Sequence, residues 1–133
     1  MTLLVDTHIL LWWLADDPML PAAAREAISS SDNEVMVSAA AVWEIAIKKA
    51  VGRLDAPDDL LEVLITNDFQ TLGITAAHAL LAGSLPPYHS DPFDRMMIAQ
   101  AHERDLTLVS VDERFLQYDV KLLALMDRSF DEF

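Results

Sequence analysis

The chain of 133 residues has no cysteine, which removes disulfides, thiolate zinc sites and cysteine nucleophiles together. It also lacks any apolar run approaching the roughly 18 residues of a membrane-spanning helix, because Asp6 and His8 interrupt the first hydrophobic stretch and Asp16-Asp17-Pro18 ends it. No basic flank or small-residue cleavage site marks the N-terminal stretch, where Thr2 leads straight into a strand-like run. The expected compartment is therefore the cytoplasm, with no membrane partner. Positive charge is scarce: nine Lys and Arg stand against 22 Asp and Glu, for a formal net charge of -13. Such a chain cannot build a broad basic surface for nonspecific nucleic-acid binding. A nuclease remains open, since carboxylates approach phosphates through a divalent cation. The charge points to two kinds of partner, cations and a basic segment of another protein. Repeats and linkers are absent too, and the length suits one core. Residues 1–125 are assigned to that domain and 126–133 to a flexible tail.

What the chain does contain is an alternation of short apolar runs and helical stretches. Thr2 to Val5 reads as a buried parallel strand, and His8 to Ala15 as a helix apolar around most of its circumference. Trp12 and Trp13 project in different directions from such a helix, which suggests a subunit interface and a homodimer. Pro21 to Ile28 is a second helix, Glu34 to Val37 a second strand, and Ser38 caps a third helix over Ala39 to Ala50. Asp58 is expected to cap a helix reaching about Asp68, followed by an extended Phe69 to Ile74. Thr75 caps Ala76 to Ala82, which Gly83 ends; Leu85 to Ser90 is a loop into a helix over Pro92 to Arg104. Leu106 to Val111 and Val120 to Leu125 are the last strands, with a short helix Glu113 to Gln117 between them. This order predicts an α/β fold: a three-layer α/β/α sandwich around a mainly parallel sheet of four to five strands.

The helix from Pro92 opens on two carboxylates three residues apart, Asp91 and Asp94. Both suit a helix start, where Asp caps, proline is tolerated and acidic groups meet the positive helix end. Their company suggests more. Asp6 closes the first strand, Asp112 closes a late one, and Glu44 sits in an otherwise apolar helix, within reach of Lys48 four residues on. In a doubly wound sheet the C-terminal strand ends and the adjoining helix starts share one rim, where crevices form. Three or four carboxylates gathered there repel one another by several kcal/mol in a partly dry site unless a cation is present, a cost of roughly that order. Oxygen ligation selects a hard ion, Mg2+ or Mn2+, that keeps bound waters.

Val5-Asp6-Thr7-His8, Ser38 with Trp43-Glu44-Ile45, His89 through Asp91-Pro92-Phe93-Asp94-Arg95, and Val109-Ser110-Val111-Asp112 with Phe115 resemble the PIN-domain ribonucleases. The likeness is to the VapC-type toxins of type II toxin–antitoxin pairs and runs from Leu3 to about Leu125. It implies a catalytic and metal-binding quartet of Asp6, Glu44, Asp94 and Asp112, with Asp91 and Thr7 as accessories. It implies Mg2+- or Mn2+-dependent endonucleolytic cleavage of RNA, leaving a 5′-phosphate and a 3′-hydroxyl. It also implies a DNA-binding antitoxin whose basic segment blocks the crevice. Arg95 and Arg114 are candidate phosphate contacts and His89 a candidate RNA contact, whereas His8, His78 and His102 are assigned to packing or solvent. A noncatalytic module binding a basic peptide in the same groove is the competing reading. A receiver-type phosphoacceptor is disfavoured, because Lys121 sits too far beyond the late strand.

Overall fold

Leu3, Leu4 and Val5 have no exposed surface, so β1 (Thr2–Val5) is covered on both faces, as a continuous apolar run in a parallel sheet requires. In the computed structural model, which describes residues 1–124, β1 lies at the centre of a five-stranded sheet. It pairs in parallel with β2 (Glu34–Ser38) on one side and β4 (Thr107–Ser110) on the other, setting Val5 opposite both Val37 and Val109. β3 (Gln70–Leu72) and β5 (Lys121–Ala124) form the two edges, giving the order β3-β2-β1-β4-β5, with all these pairings parallel. The tail assigned to 126–133, like Leu125, lies outside the described residues.

The chain builds outward from β1 to β2 and β3, then returns to lay β4 and β5 on the other side. Right-handed crossovers place the helices of the two halves on opposite faces. The first half carries α1 (Thr7–Leu14), α2 (Ala22–Ser29), α3 (Ala39–Ala50) and α4 (Leu60–Thr66); the second carries α5 (Ala76–Ser84) and α6 (Pro92–Arg104). A 3-10 turn, Glu113–Gln117, joins β4 to β5, and its Phe115 is fully buried. The expected three-layer sandwich is the observed one, and the strand order reverses between β1 and β4.

Side-chain caps set most helix starts. Asp6 Oδ1 accepts from the Ile9 N–H at 2.9 Å, so α1 begins at Thr7, one residue earlier than expected. Ser38 Oγ accepts from the Ala40 N–H at 3.0 Å. Asp91 Oδ1 accepts from the Phe93 and Asp94 N–H groups at 2.9 and 3.0 Å, leaving Pro92 at the first helical position. Asp58 does not cap α4 as expected: the Lys49 ammonium draws its carboxylate away, and Asp59 occupies the cap position. Nor does Gly83 end α5, which continues to Ser84. The stop comes from Pro86, whose ring disfavours the helical conformation at the preceding Leu85, and that residue is extended.

The tryptophan pair is largely accommodated within the chain. Trp13 donates its indole N–H to Asn67 Oδ1 at 3.0 Å and packs against Phe69, while Trp12 lies partly buried beside His8. The exposed tryptophan is instead Trp43, at 61%. His78 is packed, its Nδ1 accepting from the Thr75 N–H and its Nε2 facing Glu103.

Candidate functional site

Because β1 and β4 are neighbours at the point where strand order reverses, the residues leaving their C-terminal ends meet over one crevice. The Asp6 N–H bonds the Val109 carbonyl at 3.1 Å, which carries the sheet ladder one residue beyond β1. The side chain is then turned back by its cap to Ile9, and only 5% of the residue is exposed. On the adjacent strand Ser110 Oγ accepts from the Asp112 N–H at 3.0 Å. The same side chain lies beside Asp6 and favours its charged form. Burial pushes the Asp6 carboxyl up to about 6 and Asp112's charge adds to that, against the opposing hydrogen bonds of Ser110 and Ile9.

Asp94 arrives from the first turn of α6. Its carboxyl is likewise pushed up to about 6, first by burial and then by the Asp91 and Asp6 charges, with the His89 hydrogen bond opposing. Asp112 behaves differently. Arg114 grips it with Nε on Oδ1 at 3.0 Å and Nη2 on Oδ2 at 2.8 Å, holding its carboxyl below the usual range. The centre thus contains two aspartates without a compensating cation beside one that has it.

His89, a candidate RNA contact by sequence, is enclosed beside the aspartates. It is 3% exposed, and its Nε2 lies 2.7 Å from Asp94 Oδ2 and 3.7 Å from Asp112 Oδ2. The ligand-capable atoms of His89, Asp94 and Asp112 all fall within 4.8 Å of one another. Its position five residues before Asp94 was the available signal, because the helix start folds the preceding loop back over the first turn.

Glu44 is buried at 4%, and its charge is met from within the chain. Thr7 Oγ1 donates to Oε1 at 2.6 Å and Lys48 Nζ to Oε2 at 2.5 Å. The i, i+4 pair with Lys48 forms at a buried site, where a carboxylate in an otherwise apolar helix needs such a partner. Thr7 links this group to its neighbour Asp6. A cavity of about 290 Å3, lined by Thr7, His8, Glu44, Lys48 and Arg53, opens on this side. Arg53 lies in a turn far in sequence from Thr7, and only the fold brings it to this cavity. A depression of about 880 Å3 between Pro18 and Ser30 shares no residue with the acidic centre.

The remaining candidates separate by geometry. Asp91 spends one oxygen on capping α6. Arg95 turns away from the crevice, donating to the carbonyls of Ala82, Leu85, Pro86 and His89 at 2.8 to 3.1 Å. Arg114 keeps 57% of its side chain exposed while holding Asp112. Carboxyls pushed up by desolvation and by one another's charge supply oxygen donors that suit a hard divalent ion.

The PIN domain pattern matches residues 3–121. The chain belongs to the PIN-domain family. Within that family it is similar to Ribonuclease VapC22 of Mycobacterium tuberculosis, 34% identical over 116 residues that cover 85% of this chain and 88% of the relative. Solved structures share the PIN fold at lower identity. VapBC2 from Rickettsia felis, bound to a DNA fragment from its promoter, superimposes with a TM-score of 0.70 at 14% identity, covering 92% of this chain and 98% of that one. FitAcB from Neisseria gonorrhoeae gives 0.67 at 20% identity, covering 93% and 98%.

Proposed function

We propose that this PIN-domain protein is a Mg2+- or Mn2+-dependent endoribonuclease acting in the cytoplasm as the toxin of a type II toxin–antitoxin pair. The observation that carries the reading is the gathering of acidic groups at the switch point: Asp94 and Asp112 have ligand atoms within 4.8 Å of each other, and Asp6 is close enough to interact electrostatically with both. The similarity to a protein named as a ribonuclease supports it. Asp6, Asp94 and Asp112 would hold the ion, with Glu44 completing the set or orienting water. A bound divalent ion supplies charge stabilisation at the phosphate and a more acidic water.

The chain's own residues supply the rest. Asp6 and Asp94 sit where burial removes competing bulk water, and Thr7 and Lys48 hold Glu44 in one orientation. A water oxygen bonds to phosphorus as the bond from phosphorus to the 3′-oxygen breaks; the water's proton passes to a carboxylate, and the leaving 3′-oxygen takes a proton from solvent to become a hydroxyl. Arg114 and the cavity holding Lys48 and Arg53 flank the centre, and both offer cations to the RNA backbone. Arg95 serves the loop instead. A basic segment of the antitoxin fits the same uncompensated aspartates, and the VapBC complexes of like fold support such a partner. Two copies of the chain associate in solution, which light scattering tests.

Cleavage of single-stranded RNA in Mn2+ by wild type, Asp6→Asn and Asp94→Asn is the deciding assay. Either variant cutting at the wild-type rate refutes the assigned roles. A noncatalytic groove is favoured by one observation, that Asp112 and Glu44 already have cations within the chain. Calorimetry showing basic-peptide binding with no Mg2+ or Mn2+ heat would establish that alternative.

A further inference from the structure

We infer that His89 is a positioning residue, the fixed hydrogen-bond donor that aims Asp94, and neither a metal ligand nor an RNA contact. The inference rests on the nuclease reading of this centre. At 3% exposure the ring is out of a substrate's reach. Its Nδ1 faces the Asp91 N–H at 3.4 Å, the position of an acceptor, so Nε2 is the ring nitrogen that presents a proton. That nitrogen faces Asp94 Oδ2 at 2.7 Å and Asp112 Oδ2 at 3.7 Å. A protonated Nε2 donates to a carboxylate and has no lone pair for a metal.

The surroundings hold the ring in that role. The His89 N–H donates to the Tyr118 hydroxyl at 3.0 Å, and that hydroxyl donates to the Pro86 carbonyl at 2.6 Å. Arg95 Nη1 donates to the His89 carbonyl at 3.1 Å, and the ring tilts against the buried Phe115. Asp91 joins the device at both ends, since its N–H meets His89 while its carboxylate caps the turn that carries Asp94. With Oδ2 engaged, Oδ1 is the Asp94 oxygen without a hydrogen-bond partner among the described residues, and the one left for a cation. The arrangement gives the spacing of His89, Asp91 and Asp94 a physical reason that capping alone does not. Groups that orient a ligand in this way typically change metal affinity by roughly 10–100-fold when removed.

The test loads the purified full-length protein with Mn2+ and reads it by electron spin echo envelope modulation, alongside calorimetric Mn2+ titration of His89→Gln, His89→Asn and His89→Phe. The wild-type spectrum is expected to lack the coupling of a directly bound imidazole nitrogen. Gln places an amide N–H near the former Nε2 and is expected to keep the affinity within about threefold. Asn reaches only as far as Nδ1, and with Phe it is expected to lose about tenfold or more, in line with removal of an orienting partner. A directly bound nitrogen in the wild type overturns the inference while leaving the nuclease reading intact, and this holds even if every variant misfolds. Unchanged affinity in folded His89→Phe overturns it as well. A wild-type protein that binds no Mn2+ overturns both readings.

Discussion

Replacing Asp6 by Asn should stabilise the protein in the absence of divalent ions while abolishing cleavage. The carboxyl is held at about 6 against an ordinary 3.8, chiefly by burial. At 1.36 kcal/mol per pH unit, this separation of about 2.2 corresponds to about 3 kcal/mol, an upper figure because Asp94 shares part of the same repulsion. The sign follows from proton binding. Between pH 3.8 and 6 the folded chain retains a proton that the unfolded chain has released, so stability is full below that window and falls as pH rises through it. Asn avoids this loss, and its carbonyl still accepts from the Ile9 N–H to cap α1. Urea unfolding in EDTA should therefore show the variant more stable by about 1–3 kcal/mol at pH 7.5, with the gap closing by pH 4. Mg2+ should stabilise wild type more than the variant. A variant no more stable than wild type at pH 7.5, or a gap independent of pH, refutes the electrostatic account of the crevice.

Thr7→Val should cost about 1–3 kcal/mol, because it leaves a buried Glu44 oxygen without its donor; thermal unfolding reads this directly. Arg114→Ala should move the Asp112 carboxyl up toward its ordinary value in an NMR titration and raise KM for RNA, with global stability nearly unchanged because the pair is largely exposed. Arg95→Met should destabilise by about 2–4 kcal/mol through the loss of several carbonyl partners, and Arg95→Lys should recover little of it, since one ammonium cannot reproduce the guanidinium fork. Tyr118→Phe should weaken Mn2+ binding in calorimetry by loosening His89, although the Tyr118 hydroxyl bonds none of the carboxylates.

Local chemistry was legible wherever it was carried by adjacent residues. The buried run before Asp6, the cap at Ser38 and the Asp-Pro start of α6 are each set within a few positions, and each stands where the pattern places it. Strand alternation with helices led to the parallel sheet for the same reason. Side-chain partnerships across the fold were not legible. Arg95 follows an acidic residue in the chain, yet its helix turns the guanidinium onto carbonyls of the loop before α6. His89 looks like part of an exposed loop until Tyr118 and Phe115, which come from beyond β4, enclose it. Asp58 offered an ordinary cap until Lys49 competed for it. In each case the deciding partner is distant in sequence, and the competition is between hydrogen bonds of similar strength.

The acidic centre divides into two kinds of carboxylate. Glu44 and Asp112 are paired with Lys48 and Arg114, while Asp6 and Asp94 have no Lys or Arg partner among the described residues. A divalent ion or an arriving basic side chain therefore gains most at Asp6 and Asp94, where uncompensated repulsion is largest. At Asp112 it must compete with Arg114. Binding of either would release protons below about pH 6, since those two carboxyls are then partly protonated. Under the proposed function, the same asymmetry would let a chain of net charge -13 address RNA. Attraction for phosphate would be concentrated at one point holding a divalent ion and at a few flanking cations, not spread over a surface, so weak general affinity and a defined cleavage point would follow from one arrangement.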